Sequence, residues 1–203
     1  MVVTQLEELE KSKVKVYIDD TYAFLLYRKD IEAFGLKADT DISEAVYERI
    51  LTDTVYRRAK QKALSILKFM DRTEQELRNK LSDAGYTNEI IDRTISYVME
   101  YGYLDNERFA SAFVRNRMKV KSRLVIKTEL LQKGISKDLA ERILEEEYEK
   151  DEMGEDAELA AIRKAVAKKT KSIEDLSMDD KRKLMASLYR KGFEIGKIKQ
   201  VIG

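Results

Sequence analysis

Seven cations and no acid occupy the stretch from Arg108 to Thr128: Arg108, Arg115, Arg117, Lys119, Lys121, Arg123 and Lys127. Five of them, Arg115 through Arg123, fall at alternate positions, where like charges have little room to separate. Such a group is more stable facing an anion, and clustered guanidinium and ammonium groups are the chemistry of phosphate binding. Carried on one helix, Arg108, Arg115 and Lys119 would project together, beside Phe109 and Phe113 rather than among them. Arg57 and Arg58, with Lys60 and Lys62, form an earlier basic group, and Arg72 lies between the two. The candidate partner- or DNA-binding residues are therefore Arg57, Arg58, Arg72, Arg108, Arg115, Arg117, Lys119, Lys121, Arg123 and Lys127. Basic residues return at Arg163, Lys164, Lys168, Lys169 and Lys171, and at Lys181, Arg182 and Lys183.

The segment from Glu141 to Glu158 is the reverse, with ten acids against Arg142 and Lys150. It lacks the spacing of an EF-hand loop and is not read as a metal site. The plain reading of any charge run is a solvated helix face, paired with its neighbours. That reading is preferred for the acidic run, and both readings stay open for the basic one. Tyr and Phe are not interleaved with the cations along the chain as in a base-stacking platform. No helix offers a compact set of base-reading residues at its start.

The 203 residues contain no His and no Cys. The commonest general base, the usual nitrogen and thiolate metal ligands, and disulfides are therefore all missing. Together with the lack of any carboxylate–lysine constellation, this argues for a binding protein and against an enzyme. No cofactor is expected. No apolar run reaches the roughly 20 residues that a membrane span needs, and the N-terminus lacks a signal pattern. The expectation is a soluble, cytoplasmic, monomeric protein. Its formal net charge of +1 hides the segregation described above.

The elements that must position these cations are written as repeats. Leu77, Leu81 and Gly85 are spaced by four, as are Ile126, Leu130 and Gly134, and again Leu184, Leu188 and Gly192. A large apolar residue follows each glycine: Tyr86, Ile135 and Phe193. A short helix with a two-rung apolar stripe that stops at glycine is thus repeated at a period near 50 residues, the mark of stacked modules. The absence of proline suits a chain that is mostly helix.

In chain order, residues 1–12 are polar and expected to fray. Val14, Val16 and Ile18 alternate, Asp19-Asp20-Thr21 is a turn signal, and Tyr22 to Tyr27 is again β-rich, so a hairpin is expected. A lone hairpin is marginal, and the short helix Lys29 to Phe34, ended by Gly35, would cover it. A helix from about Ser43 to Leu51 follows. This module is read as a packing cap on the helical array, with partner docking through an exposed strand edge as the functional alternative.

From about Asp53 the periodicity is helical throughout, with Val55, Ala59, Ala63, Ile66, Leu67 and Met70 on one face. Thr73 and Glu76 form a capping box, Thr87 caps the helix Asn88 to Glu100, and Ile90, Ile91, Ile95 and Val98 are its buried side. Asp105 caps the second unit, whose stripe is Phe109, Ala112 and Phe113. A middle helix from Arg123 to Lys133 follows, and then a helix capped by Ser136. The third unit begins near Glu155. Ser177 and Asp180 form another capping box, and a short last helix carries Ile195, Ile198 and Val201. Tyr101 and Tyr103 flank a helix end and should be partly exposed. The expected division is an N-terminal module over 1–52 and three-helix repeats over 53–104, 105–152 and 153–203.

The pattern Ala63-Leu64…Leu67…Arg72-Thr73-x-x-Glu76-Leu77-x-x-Lys80-Leu81…Gly85…Gly102-Tyr103-Leu104-Asp105-x-x-x-Phe109-Ala110, followed by Glu129-Leu130-x-x-Lys133-Gly134-Ile135, resembles the RecX family of recombination regulators. The resemblance runs from about Val55 to Val201 and is strongest from Ala63 to Tyr148. Lys13 to Leu51 is similar to the N-terminal extension of longer family members. Two positions depart from the pattern: Asn106 stands where a second Asp is usual, and Ser122 where a glycine often precedes the middle helix. The resemblance implies a mainly α fold of tandem three-helix repeats in a curved rod. It implies a protein that lodges in the groove of the RecA–single-stranded DNA filament and restrains RecA's ATPase, strand exchange and coprotease functions. Read without it, the residues also allow a general nucleic-acid-binding repeat protein acting on bare strands.

Overall fold

The computed structural model describes residues 1–150 and 156–203, and these divide into two compact units, Met1–Asp105 and Asn106–Gly203. The acids Asp151, Glu152 and Glu155, and the expected start of the third repeat at 153, lie outside the described residues.

The first unit opens with β1 (Val2–Glu8), β2 (Lys13–Ile18) and β3 (Thr21–Tyr27), then α1 (Arg28–Phe34) and the short β4 (Thr40–Asp41). The strands form one antiparallel sheet in the order β3-β2-β1-β4. The expected β2–β3 hairpin is present, turned by Asp19 and Asp20 with φ of 47° and 62°, which short polar side chains tolerate. The N-terminal residues do not fray as expected. Val3 is fully buried, and Leu6 lies opposite Val16, so β1 supplies a third long strand that covers the hairpin along one edge. Gly35 ends α1 with φ of 65°, the left-handed position that an L side chain occupies at a cost.

α2 (Glu44–Arg49) continues through a π-helical segment, Ile50–Tyr56, into α3 (Arg57–Phe69). The division expected at 52/53 falls inside this continuous helical run. The π turns bury Ile50, Leu51, Thr54 and Val55 together. Ile50, Leu51 and Val55 share one core with Val3, Val16, Phe24, Leu26 and Leu36 of the sheet side. The N-terminal module is thus packed on the helices, as a cap would be. Met70, expected on the apolar face of α3, lies past its end and is 56% exposed.

α4 (Glu74–Asp83) and α5 (Asn88–Glu100) complete the first three-helix repeat around Ala63, Leu77, Leu81, Ile91, Ile95, Val98 and Leu104. The Thr73/Glu76 capping box is present in both directions. Thr87 holds the N-cap position of α5, but its hydroxyl accepts no capping bond.

The second unit contains α6 (Asn106–Arg115), α7 (Arg123–Gln132), α8 (Lys137–Lys150), α9 (Ala157–Ala167), α10 (Met178–Arg190) and α11 (Ile195–Ile202). Its two cores follow the repeats. One gathers Phe113, Ile126, Leu130, Ile143 and Leu144, and the other Ile162, Leu184, Leu188, Phe193 and Ile198. Phe113 is buried in the first of these cores, and partly buried Phe109 packs against it with their rings stacked at 5.8 Å between centroids. Ser136 caps α8, Asp156 caps α9 by accepting from Glu158 and Leu159, and Ser177 caps α10.

The middle helix of each repeat ends in one geometry. Tyr86, Ile135 and Phe193 donate their N–H groups to Leu81, Leu130 and Leu188 at 3.2, 3.0 and 3.3 Å. Gly85, Gly134 and Gly192 donate to the carbonyls of Ser82, Leu131 and Tyr189. This paired pattern satisfies carbonyls that a helix end leaves open, and it requires the left-handed residue that glycine supplies. The Leu-x-x-x-Leu-x-x-x-Gly-large spacing in the sequence is therefore a helix-stop device.

Candidate partner-binding surface

In the first unit, Arg57 is exposed on α3, whereas Arg58 is structural. Arg58 donates to both carboxylate oxygens of Asp30, at 2.6 and 2.9 Å, and its guanidinium lies 5.0 Å from the Tyr27 ring centroid. Asp30 also accepts from the Tyr27 N–H at the start of α1, so the pair fastens α1 to α3. Burial alone would raise the Asp30 carboxyl, but Arg58 and the Tyr27 N–H outweigh it and hold the pKa below the ordinary value. Arg72 lies 3.9 Å from Glu76, across the turn that the capping box closes.

The chain shows no interleaving of rings and cations in sequence, but the fold creates it. Arg93 lies 4.1 Å and Lys60 4.6 Å from the Tyr56 ring centroid. Lys60 is also 4.9 Å from the Tyr97 ring, and Tyr97 meets Tyr101 at 4.7 Å. This ladder joins α3 to α5. Tyr101 and Tyr103 are 61% and 49% exposed, as expected for residues at a helix end.

In the second unit, the basic stretch is not one helical face. α6 stops at Arg115, and residues 116–121 form turns before α7. Lys119 therefore does not share a helix with Arg108 and Arg115, contrary to the sequence expectation. Both Arg108 and Lys119 are exposed. Most of the other cations meet acids of their own unit. Arg115 is 3.6 Å from Glu147, a residue only 4% exposed. Arg117 is 3.6 Å from Glu129 and lies over the Phe113 ring at 3.7 Å, and Lys121 also binds Glu129. Lys127 reaches Glu141 at 2.5 Å, and this hydrogen bond holds the Glu141 carboxyl below its ordinary pKa. Arg123 lies 5.4 Å from the Tyr148 ring centroid. Burial pushes the Tyr148 hydroxyl well above its usual range.

The acid-free stretch and the acid-rich stretch thus neutralise one another within the unit, at Glu141 and Glu147. Exposed pairs of this kind contribute only about 0–1 kcal/mol each. The buried carboxylate of Glu147 makes Arg115 the exception, because a buried charge without its partner is costly.

Sequence reasoning missed a site near the start of α7. Ser122, at the position where the sequence pattern often has glycine, has φ of –68°, and its hydroxyl accepts from the Val125 N–H. The same hydroxyl donates to the Lys191 carbonyl at 2.7 Å, linking the second repeat to the loop after α10. Beside this link lies a groove of about 260 Å³. Val120, Val125, Ala165 and Phe193 form its apolar lining, and Lys121, Lys164, Lys168 and Lys191 its cationic rim. The signal that could have found it was the basic group around Lys164 and Lys168, outranked by the longer acid-free run. Among the described residues no cluster of acids is arranged to hold a metal ion, and no helix is long and apolar enough to cross a membrane.

Comparison with known proteins matches the three repeats one by one. Residues 59–97 match the first three-helix domain of RecX, 105–144 the second, and 156–202 the third. A regulatory protein RecX of Caldanaerobacter subterraneus subsp. tengcongensis is 31% identical over 100% of this chain and 98% of its own length. That of Clostridium acetobutylicum is 29% identical over 98% of this chain and 94% of its own. A crystal structure of a regulatory protein RecX shares the fold with a TM-score of 0.65 at 20% identity, over 98% of both chains. RecX from Lactobacillus salivarius does so with a TM-score of 0.60 at 24% identity, over 72% of this chain. Three matched domains in order, together with relatives aligned along the whole length, place this chain in the RecX family.

Proposed function

We propose that this protein is a regulator of RecA that binds the RecA–single-stranded DNA filament and restrains its ATPase, strand exchange and coprotease functions. The observation that carries this reading is the full-length similarity to proteins named regulatory protein RecX, with all three of their helical domains represented. Tandem repeats suit the role, because each adds surface to an extended contact. The protein is proposed to act as a monomer in the cytoplasm, without cofactor and without catalysis of its own. Exposed Arg57, Arg108, Lys119 and Arg123 remain candidate contacts to the filament.

Action on bare nucleic acid is the weaker reading. It needs cations free to displace counterions from phosphate. Here Arg115, Arg117, Lys121 and Lys127 meet acids of their own unit. Titrating this protein into RecA during single-strand-dependent ATP hydrolysis tests the proposal. A fall at ratios well below one per RecA is expected if filament growth is blocked, and a fall only near saturation if the groove is occupied along its length. Unchanged hydrolysis, with no co-sedimentation on filaments, would overturn it.

A further inference from the structure

We propose that the groove beside Ser122 in the second unit is a docking site for an acidic peptide segment, one that inserts a single large apolar side chain between flanking carboxylates. Its lining is apolar and its rim is charged, and the two point to one kind of occupant. Val120, Val125 and Ala165 present aliphatic surface to the groove, and Val120 is 43% exposed although it is apolar. Removing such surface from water is the driving force for insertion of an apolar group. The volume of about 260 Å³ has room for one large side chain.

The rim supplies the sign of the partner. Lys164 lies in the last turn of α9 and Lys168 four residues on at its C-cap, and Lys191 approaches from the loop after α10. Neither these two lysines nor Lys191 has an acidic partner among the described residues. Lys121 is the one rim lysine that does, through Glu129. Most cations of the acid-free run meet acids of their own unit, whereas three lysines with no acidic partner among the described residues stand around this apolar opening. Three unpaired ammoniums around one opening repel one another and favour an anionic occupant.

A nucleic acid strand fits less well. Base stacking needs an open aromatic face, and the only ring in the lining, Phe193, is 4% exposed and belongs to the core of the third repeat. Lysines also lack the planar fork with which arginine grips phosphate in pairs, and no arginine lines the groove. This inference concerns how the second unit holds a partner and does not rest on that partner being RecA.

The test is fluorescence polarisation with the whole chain and a labelled synthetic peptide of Asp and Glu flanking one central Phe. The variants are Lys164→Glu/Lys168→Glu and, separately, Lys191→Glu. All three lysines are exposed, so the fold should tolerate the changes. Binding by the unaltered chain is expected, weakened about tenfold or more by either variant, as when close interfacial charges are opposed. A second peptide with Ser in place of Phe should bind about tenfold more weakly, since it leaves the apolar lining in water. Equal binding by the variants would overturn the site. Equal binding of the Ser peptide would overturn the insertion and leave simple charge attraction. A labelled thymidine oligonucleotide that binds at least as tightly as the Phe peptide, and loses affinity in the same variants, would overturn the peptide assignment in favour of a strand.

Discussion

Arg58 was a candidate contact residue by sequence and is a fastener by structure, and the difference is measurable. Arg58→Ala removes both hydrogen bonds to Asp30 and strands a carboxylate whose residue is only 8% exposed. An exposed ion pair contributes about 0–1 kcal/mol, and breaking a buried one costs about 3–5 kcal/mol. With side-chain exposures of 25% for Arg58 and 11% for Asp30, the pair lies toward the buried limit. Residual solvent screening on the arginine side brings the expected loss to about 2–3 kcal/mol, including the contact with Tyr27. The first unit should then melt about 8–24 °C lower, at roughly 4–8 °C per kcal/mol for a domain of this size.

Nine of the eleven tyrosines lie in residues 1–105 and there is no tryptophan, so tyrosine fluorescence reports mainly on this unit during urea or thermal unfolding. Acid titration adds a second signature. Asp30 binds a proton less readily when folded than when unfolded. Its contribution is therefore complete above the ordinary carboxylate pKa and is lost as the pH falls through the lowered value. Arg58→Ala should flatten that acid-side loss. A variant within about 0.5 kcal/mol of the unaltered protein, with inhibition of RecA abolished, would refute the structural role and return Arg58 to the contact surface.

Thr73→Ala should cost about 1 kcal/mol of first-unit stability, because it removes the reciprocal cap on α4, and urea unfolding would detect it. Gly192→Ala should cost about 1–2 kcal/mol from its φ of 80° alone. The new Cβ would also lie 2.9 Å from the Ser122 Oγ, so Gly192→Ala and Ser122→Ala combined should cost less than the sum of the two single changes in thermal melts. Ser122→Ala alone should destabilise the second unit by about 1–2 kcal/mol, through the lost cap and the lost bond to Lys191. Lys197→Met leaves Asp156 and the buried Glu158 without their shared cation, 2.8 and 3.2 Å away, and should cost about 2–3 kcal/mol. Burial opposes both charges, yet the hydrogen bonds lower the Asp156 pKa and raise that of Lys197. Their contribution should persist across neutral pH. It should fade as pH falls through the lowered Asp156 value, and again as pH rises through the raised Lys197 value, and Lys197→Met should remove both limbs of a stability–pH curve.

Local rules were enough to read the repeat architecture. Each middle helix has two leucine-like residues four apart, a glycine four further on and a large residue after it. That spacing dictates a buried stripe and a left-handed stop whatever the neighbours are. The Thr73 and Ser177 caps, the Asp19-Asp20 turn and the burial of Phe113 follow from equally local chemistry. Strand β1 was hidden because its pattern, Val2 to Glu8, is weak alone. Pairing with β2 decides it, and pairing partners are distant properties. The π segment at Ile50–Tyr56, which joins an expected module boundary into one helix, is likewise a response to packing against the sheet.

The surface was the least legible part, for one physical reason. A charge's role depends on what stands opposite it, and opposition across helices is not written in local spacing. Arg117 and Lys121 lie eight to twelve residues before Glu129, Lys127 lies fourteen before Glu141, and Arg58 lies twenty-eight after Asp30. In sequence these were free cations, and in the fold they are paired. The same folding left Lys164, Lys168 and Lys191 unpaired around an apolar groove that no stretch of sequence contains. The sequence by itself determined which residues are charged, where helices start and stop, and which faces must be buried. Only the tertiary structure decided which charges cancel and which remain for a partner, because Coulomb interactions act over distances in space that chain position does not encode.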